Sequence, residues 1–329
     1  MKKLLSLALV LVLLLPLFSC NDELPAPNDG GTTNDGKTND ESIAEENEHP
    51  NEDDKNTENL LSSPANDFLC QNLEDGTVAV SYKGTDETVI VPTKIDGKDV
   101  VAIAQNGFEG AGSFLKKVVL PDTIKRIEEK AFINCSQLST INIPVSVSYI
   151  GVSAFQNCSM LKTIEIKSDC LTEESVDVFA FSGIESVVLG EGVDCIPDNC
   201  FMGCPLSMVK LPYTVAKIGN RAFAGCNLQM IELNEGVITI GHKAFEGNSQ
   251  LKMMVIPQTV CYITEMAFSG CSGLERVEFR GNAPETYEYS DPISGVWEPI
   301  ATNYTIYFKH DAQGFTTPTW YGYLTEILP

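Results

Sequence analysis

The sequence predicts a repeat solenoid: a right-handed coil with a parallel β-sheet on one face, β-rich with short helical or 3-10 turns, and capped at both ends. Three observations predict it. A phenylalanine recurs at Phe108, Phe132, Phe155, Phe179, Phe201, Phe223, Phe245 and Phe268, with gaps of 24, 23, 24, 22, 22, 22 and 23 residues. Apolar residues stand at fixed offsets from it, and an alternating I-x-I segment follows it. A period of this size marks coils stacked on one another, because one coil of about 23 residues cannot bury its own apolar face.

The first segment, residues 1–19, reads as a secretion signal. Lys2 and Lys3 form its basic start, and Leu4 to Leu17 is an apolar run too short to span a bilayer comfortably. The run closes on Leu17-Phe18-Ser19-Cys20, an L-x-S-C ending that resembles a bacterial lipobox, in which Cys20 would be acylated and hold the chain on a membrane. The alternative is an ordinary signal followed by a chance cysteine. Residues 20–67 then form an acidic tether, with 14 Asp and Glu against two Lys over residues 21–67. Nothing there can build a core, so disorder is expected.

Residues 68–107 read as the N-terminal cap. Val78-Ala79-Val80-Ser81-Tyr82 and Thr88-Val89-Ile90-Val91 alternate as strands, and Gly97-Lys98 turns into the first coil. Residues 108–281 are the repeats. Five residues before the phenylalanine stands Ile103, Ile127, Ile150, Ile196, Ile218, Ile240 or Ile263, and eight before it Val100, Ile124, Val147, Val193, Val215, Val237 or Val260. Three after it comes Cys135, Cys158, Cys204, Cys226 or Cys271, with Asn248 as the exception. The strand segments are Leu138/Ile141/Ile143, Leu161/Ile164/Ile166 and their counterparts, ended by Pro121, Pro144, Pro212 or Pro257. Like positions stacked on like turn each apolar offset into a column of one long core, and the strands into a parallel sheet.

The motif I-G-x-x-A-F-x-x-C-x-x-L-x-x-I-x-I-P, nearly intact from Ile150 to Ile166 and from Ile218 to Leu233, resembles the BspA-like leucine-rich repeats of bacteria. The resemblance covers roughly residues 78–281. It implies a surface protein that binds host proteins or partner bacteria. Asn21-Asp22-Glu23, directly behind Cys20, similarly resembles the surface-export signal of Bacteroidetes lipoproteins, which implies an outer-membrane lipoprotein exposed at the cell surface. The coil at Phe179 departs from the pattern: Glu174 replaces the aliphatic residue and Ser168-Asp169-Cys170 interrupts the strand exit, so a bulge is expected there.

Residues 282–329 read as the C-terminal cap. Gly281-Asn282-Ala283-Pro284 breaks the period, Thr305-Ile306-Tyr307-Phe308 is a strand, and Trp320-Tyr321-Gly322-Tyr323 supplies bulk over the last rung. That aromatic cluster has a second use as a glycan-stacking site.

Catalytic chemistry is sparse. The three histidines, His49, His242 and His310, are scattered, and no H-E-x-x-H, G-x-S-x-G or phosphate-cradling glycine loop occurs. The eleven cysteines include no C-x-x-C pair for zinc. Most fall in repeat columns as small apolar groups; stacking of adjacent coils leaves a disulfide between neighbours such as Cys204 and Cys226 as an open alternative. Cys195 falls at a position expected to be exposed and reactive. No cofactor or metal is implied, and a net charge of −23 opposes nucleic acid.

The outward residues of the strands carry the binding expectation. One column reads Lys117, Thr140, Thr163, Ser186, Met208, Met230, Met253, Arg276; the next reads Val119, Asn142, Glu165, Val188, Lys210, Glu232, Val255, Glu278. Met208, Met230, Met253 and Val255, bordered by Lys210, Glu232 and Arg276, make a candidate binding face for a protein ligand. Tight curvature, or a C-terminal segment folded over the methionines, is the competing reading. A glycan-capture lipoprotein of a nutrient-uptake system is the alternative function; it would favour exposed Trp and Tyr, which the strand columns lack.

Overall fold

The computed structural model describes residues 61–287, 305–320 and 323–328. The signal, Cys20, the tether up to residue 60 and Tyr321-Gly322 lie outside the described residues.

Where the sequence alternates, the backbone extends. Thr163–Ile166 shows the pattern in full, its residues exposed, buried, exposed, buried in turn. It pairs in parallel with Ser186–Leu189, as Met208–Lys210 pairs with Met230–Glu232 and Met253–Ile256 with Arg276–Phe279. Thr88–Ile90, Lys117–Val119 and Thr140–Ile141 pair in parallel in the same way, as a sheet of their own. The last of these sheets does not stop at residue 281, where the period breaks: Thr305–Phe308 and then Tyr323–Ile327 add parallel rungs to Arg276–Phe279.

A second parallel ladder forms at the V-x-x-I end of the coil. It runs through Lys98–Ile103, Arg126–Ile127 and Tyr149–Ile150, and again through Cys195–Ile196, Lys217–Ile218, Thr239–Ile240 and Tyr262–Thr264. Two strands stand at its head, β1 (Phe68–Asn72) and β2 (Val78–Tyr82): β2 joins Lys98–Ile103 in parallel, and β1 folds back antiparallel on β2. The glycine after the isoleucine serves this ladder, since a Cβ on Gly241 would lie 2.7 Å from the backbone of Gly219 in the preceding coil.

The gap in the second ladder is the Phe179 coil. Glu174 is exposed, while Cys170 and Leu171 are fully buried in place of the missing aliphatic residue. Ile150 still finds a partner, its N–H donating to Cys170 O at 3.0 Å. The ladder is lost there and the core is kept.

The phenylalanines stack face to face. Successive rings from Phe108 to Phe268 stand 4.6–5.8 Å apart with planes within 25°. Tyr82 extends the column by one ring at 5.5 Å, and Phe68 closes it. Backbone bonds lock the register: Phe201 N–H donates to Ala222 O at 2.9 Å and Phe223 N–H to Ala244 O at 2.8 Å. The turn carrying each ring is not helical except at Glu109–Ala111, a single 3-10 turn. Left-handed residues flank the ring instead, two before it (Lys130, Ser153, Asn199, Arg221, Lys243) and two after it (Asn134, Asn157, Gly203, Gly225, Gly247). A positive φ on both sides stops any helix from propagating.

The cysteine column completes the interior. Each thiol donates to the phenylalanine carbonyl of the coil before it: Cys158 to Phe132 O at 3.2 Å, Cys204 to Phe179 O at 3.1 Å, Cys226 to Phe201 O at 3.2 Å, Cys271 to Phe245 O at 3.2 Å. Asn248 takes the same post, donating to Phe223 O at 2.9 Å and Phe245 O at 2.8 Å while accepting Leu228 N–H at 3.0 Å. Cys204 and Cys226 are free thiols and do not bridge. Cys195 is not exposed; it is buried, and its thiol is pushed up to about 12, chiefly by burial.

Candidate interaction face

Strand pleating decides which residues reach solvent. In Met208–Lys210 and Met230–Glu232 the middle residue, Val209 or Ile231, goes to the core and its neighbours point out. Met208 stands opposite Met230 and Lys210 opposite Glu232 in a parallel register. The three methionines are 57%, 52% and 49% exposed at Met208, Met230 and Met253, so curvature does not bury them, and among the described residues no part of the C-terminal segment covers them. Met254, one residue on, is fully buried. Val188 adds a further exposed apolar side chain one coil earlier, and Val255 is half-buried.

Charged pairs border this strip. Lys210 Nζ lies 3.8 Å from Glu232 across the rung, both well exposed. Arg276 is less free than its column position suggests. It is half-buried, 3.2 Å from Glu278, and its guanidinium lies 3.7 Å over the Tyr307 ring. Arg276 is therefore a fixed edge to the strip. Tyr307 escapes the repeat pattern because it lies beyond the break in period, yet it occupies the next rung opposite Glu278.

The N-terminal half of the face is built differently. Thr140, Thr163 and Ser186 fill the column that methionines fill later. Asn142 is spent on structure: its Nδ2 donates to Leu120 O and its Oδ1 accepts Leu120 N–H, both at 2.8 Å.

An open groove of about 650 Å³ on the second-ladder side is lined by Asp198, Asn199, Asn220, Arg221, His242, Thr264 and Glu265. Its polar groups are largely tied along the coil axis: Asp198 accepts from Asn220 N–H and Nδ2 at 2.7 and 2.9 Å, and Asn220 Oδ1 accepts His242 N–H at 2.9 Å. Among the described residues no cluster of three His, Cys, Asp or Glu is placed to hold a metal, and no charged side chain is buried. At the C-terminal end Trp320 is buried, packed on Phe315 at 4.8 Å, so its ring is not open as a glycan platform. No helix among the described residues is long and apolar enough to cross a membrane.

The family model for the BspA type leucine-rich repeat region matches residues 93–204 and 194–290 in six copies. Solved structures of bacterial leucine-rich repeat proteins are similar to this chain. A leucine-rich repeat protein of T. pallidum is 25% identical, with a TM-score of 0.41 over 68% of this chain and 84% of that one. One from Bacteroides ovatus is 23% identical, with a TM-score of 0.48 over 80% and 75%. A leucine-rich cell surface protein of Faecalibacterium prausnitzii is 19% identical, with a TM-score of 0.40 over 74% and 98%. No curated protein matches the sequence.

Proposed function

This chain belongs to the BspA-type leucine-rich repeat family, and from that premise we propose that it is a non-enzymatic, surface-exposed lipoprotein that binds a protein partner through the methionine face of its solenoid. The repeat family supports an interaction role in general. The narrower reading rests on one observation: Met208, Met230 and Met253 stand half-exposed at equivalent strand positions of consecutive coils. Exposed contiguous apolar surface marks contact sites, and a thioether adapts to a partner's shape without demanding a directional bond. Lys210 and Glu232 at the rim would set orientation and encounter rate more than affinity. The partner is a host matrix or mucosal protein or a bacterial surface protein, and the anchor is an acylated Cys20.

The deciding experiment replaces Met208, Met230 and Met253 together with serine and measures binding to immobilised matrix and mucosal proteins and to intact bacteria. Loss of binding with an unchanged melting curve supports the face; unchanged binding removes it. Intact-mass measurement of the membrane-extracted chain, with and without Cys20→Ala, tests the anchor.

A further inference from the structure

At the head of the second ladder, β1 pairs with β2 over all five of its residues. Among the described residues no strand pairs with its other edge. The alternation of an antiparallel ladder fixes which groups face that open edge. Lys83 N–H donates to Asp67 O at 2.8 Å and Leu73 N–H to Thr77 O at 2.9 Å, so Leu69 and Gln71 bond inward to β2. The N–H and C=O of Cys70 and Asn72 and the C=O of Phe68 therefore point away, while Phe68 N–H is taken by Ala65 O.

The side chains leave this edge open. Leu69 is 57% exposed, and Cys70, Gln71 and Asn72 are exposed too. Lys98 is turned onto Asn72 Oδ1 at 2.5 Å. Phe68-Leu69-Cys70-Gln71-Asn72 contains no charge, no proline and no bulge, which are the usual guards of a free edge. The omission stands out in a segment, residues 68–329, that carries 31 acidic and 18 basic residues.

We propose that β1 is a docking edge for a second copy of this chain, the two strands pairing antiparallel about Cys70. The occupant follows from self-complementarity. A two-fold axis at the middle residue sets Cys70 N–H against the carbonyl of the same residue in the second copy, and Asn72 N–H against the Phe68 carbonyl. That yields four new backbone hydrogen bonds, places Leu69 beside Gln71 of the second copy, and opposes no like charges within the strand. This is an isologous contact made by strand addition. It uses none of the methionine face, so either assignment can fail without the other.

The test is sedimentation of the intact chain over a wide concentration range. Cys70→Pro removes the outward donor and spares the β1–β2 ladder, because proline is tolerated where the N–H faces solvent. Leu69→Lys places a guarding charge on the edge without touching the core. The expected result is a reversible monomer–dimer equilibrium that weakens about tenfold or more in each variant, the loss of two symmetry-related bonds or the added repulsion. A short bismaleimide should link Cys70 to Cys70 in the unmodified dimer. A chain that stays monomeric throughout, a dimer that survives Leu69→Lys, or a cross-linked peptide lacking Cys70 overturns the proposal. Leu69→Lys decides the matter if Cys70→Pro fails to fold.

Discussion

Two columns on the same coils meet opposite ends. Phe201, Phe223 and Phe245 point inward, fully buried and stacked at 5.6–5.8 Å. Met208, Met230 and Met253, seven or eight residues further along, point outward and stay half-exposed. The inner column has no freedom: each ring fills a volume set by the coil around it and by rings above and below, so only one residue type recurs. The outer column is constrained by strand propensity alone, and methionine is not among the residues that strands favour. Thr140, Thr163 and Ser186 show that hydroxyl residues fill that column on earlier coils. Three methionines there are the feature on which the proposed interaction face rests.

The comparison breaks most sharply at the rings. Phe223→Ala should cost about 3–5 kcal/mol through lost burial and the cavity left between two stacked neighbours. A lowered urea midpoint is the readout, and a loss under about 1 kcal/mol would mean the stack relaxes around the gap. Alkaline pH attacks the same interior through its thiols. Burial pushes Cys135 and Cys271 up to about 12 and Cys204 up to about 11, from an ordinary 9.0. Below pH 9 folded and unfolded chains both keep these protons, so their contribution is fully present. As pH rises from 9 toward 12 the unfolded chain releases them first. Stability should therefore fall across that window, and replacing Cys135 and Cys271 with alanine should flatten the fall.

A single polar residue sharpens the account. Asn248→Ala strips partners from Phe223 O and Leu228 N–H in the core, at about 1–3 kcal/mol, and Asn248→Cys should recover part of that by restoring the thiol bond used elsewhere. The smallest effect belongs to the outer column. Met230→Ser should move stability by no more than about 0.5 kcal/mol, because the side chain packs against little. A larger shift, read from the same urea curves, would mean that the methionines support the sheet and would weaken their assignment to a partner.

Most of the coil was legible because every repeat states it again. The aliphatic, phenylalanine and cysteine offsets name the buried columns, and the alternation at Ile164-Glu165-Ile166 names the strand. The irregular Phe179 coil was legible too, through Glu174. Other features left no such mark. Tyr82 continues the ring column without being a phenylalanine, and Tyr307 continues the face beyond the last regular gap. Beyond Lys98–Ile103 the second ladder rests on strands of two or three residues, too short for alternation to show. Cys195 was misread as exposed because its burial comes from neighbouring coils rather than from its own segment.

By itself the sequence determined the period, and with it the stacked coil, since a repeated apolar offset has nowhere to be buried except against its own copy. Tertiary structure alone decided which polar residues are consumed in holding coils together, as Asn142, Asn248 and Asp198 are, and which side chains remain open to solvent. That division depends on contacts between residues some 22–25 positions apart. Local pattern reports direction along a strand, and only the neighbouring rung reports whether a group already has a partner.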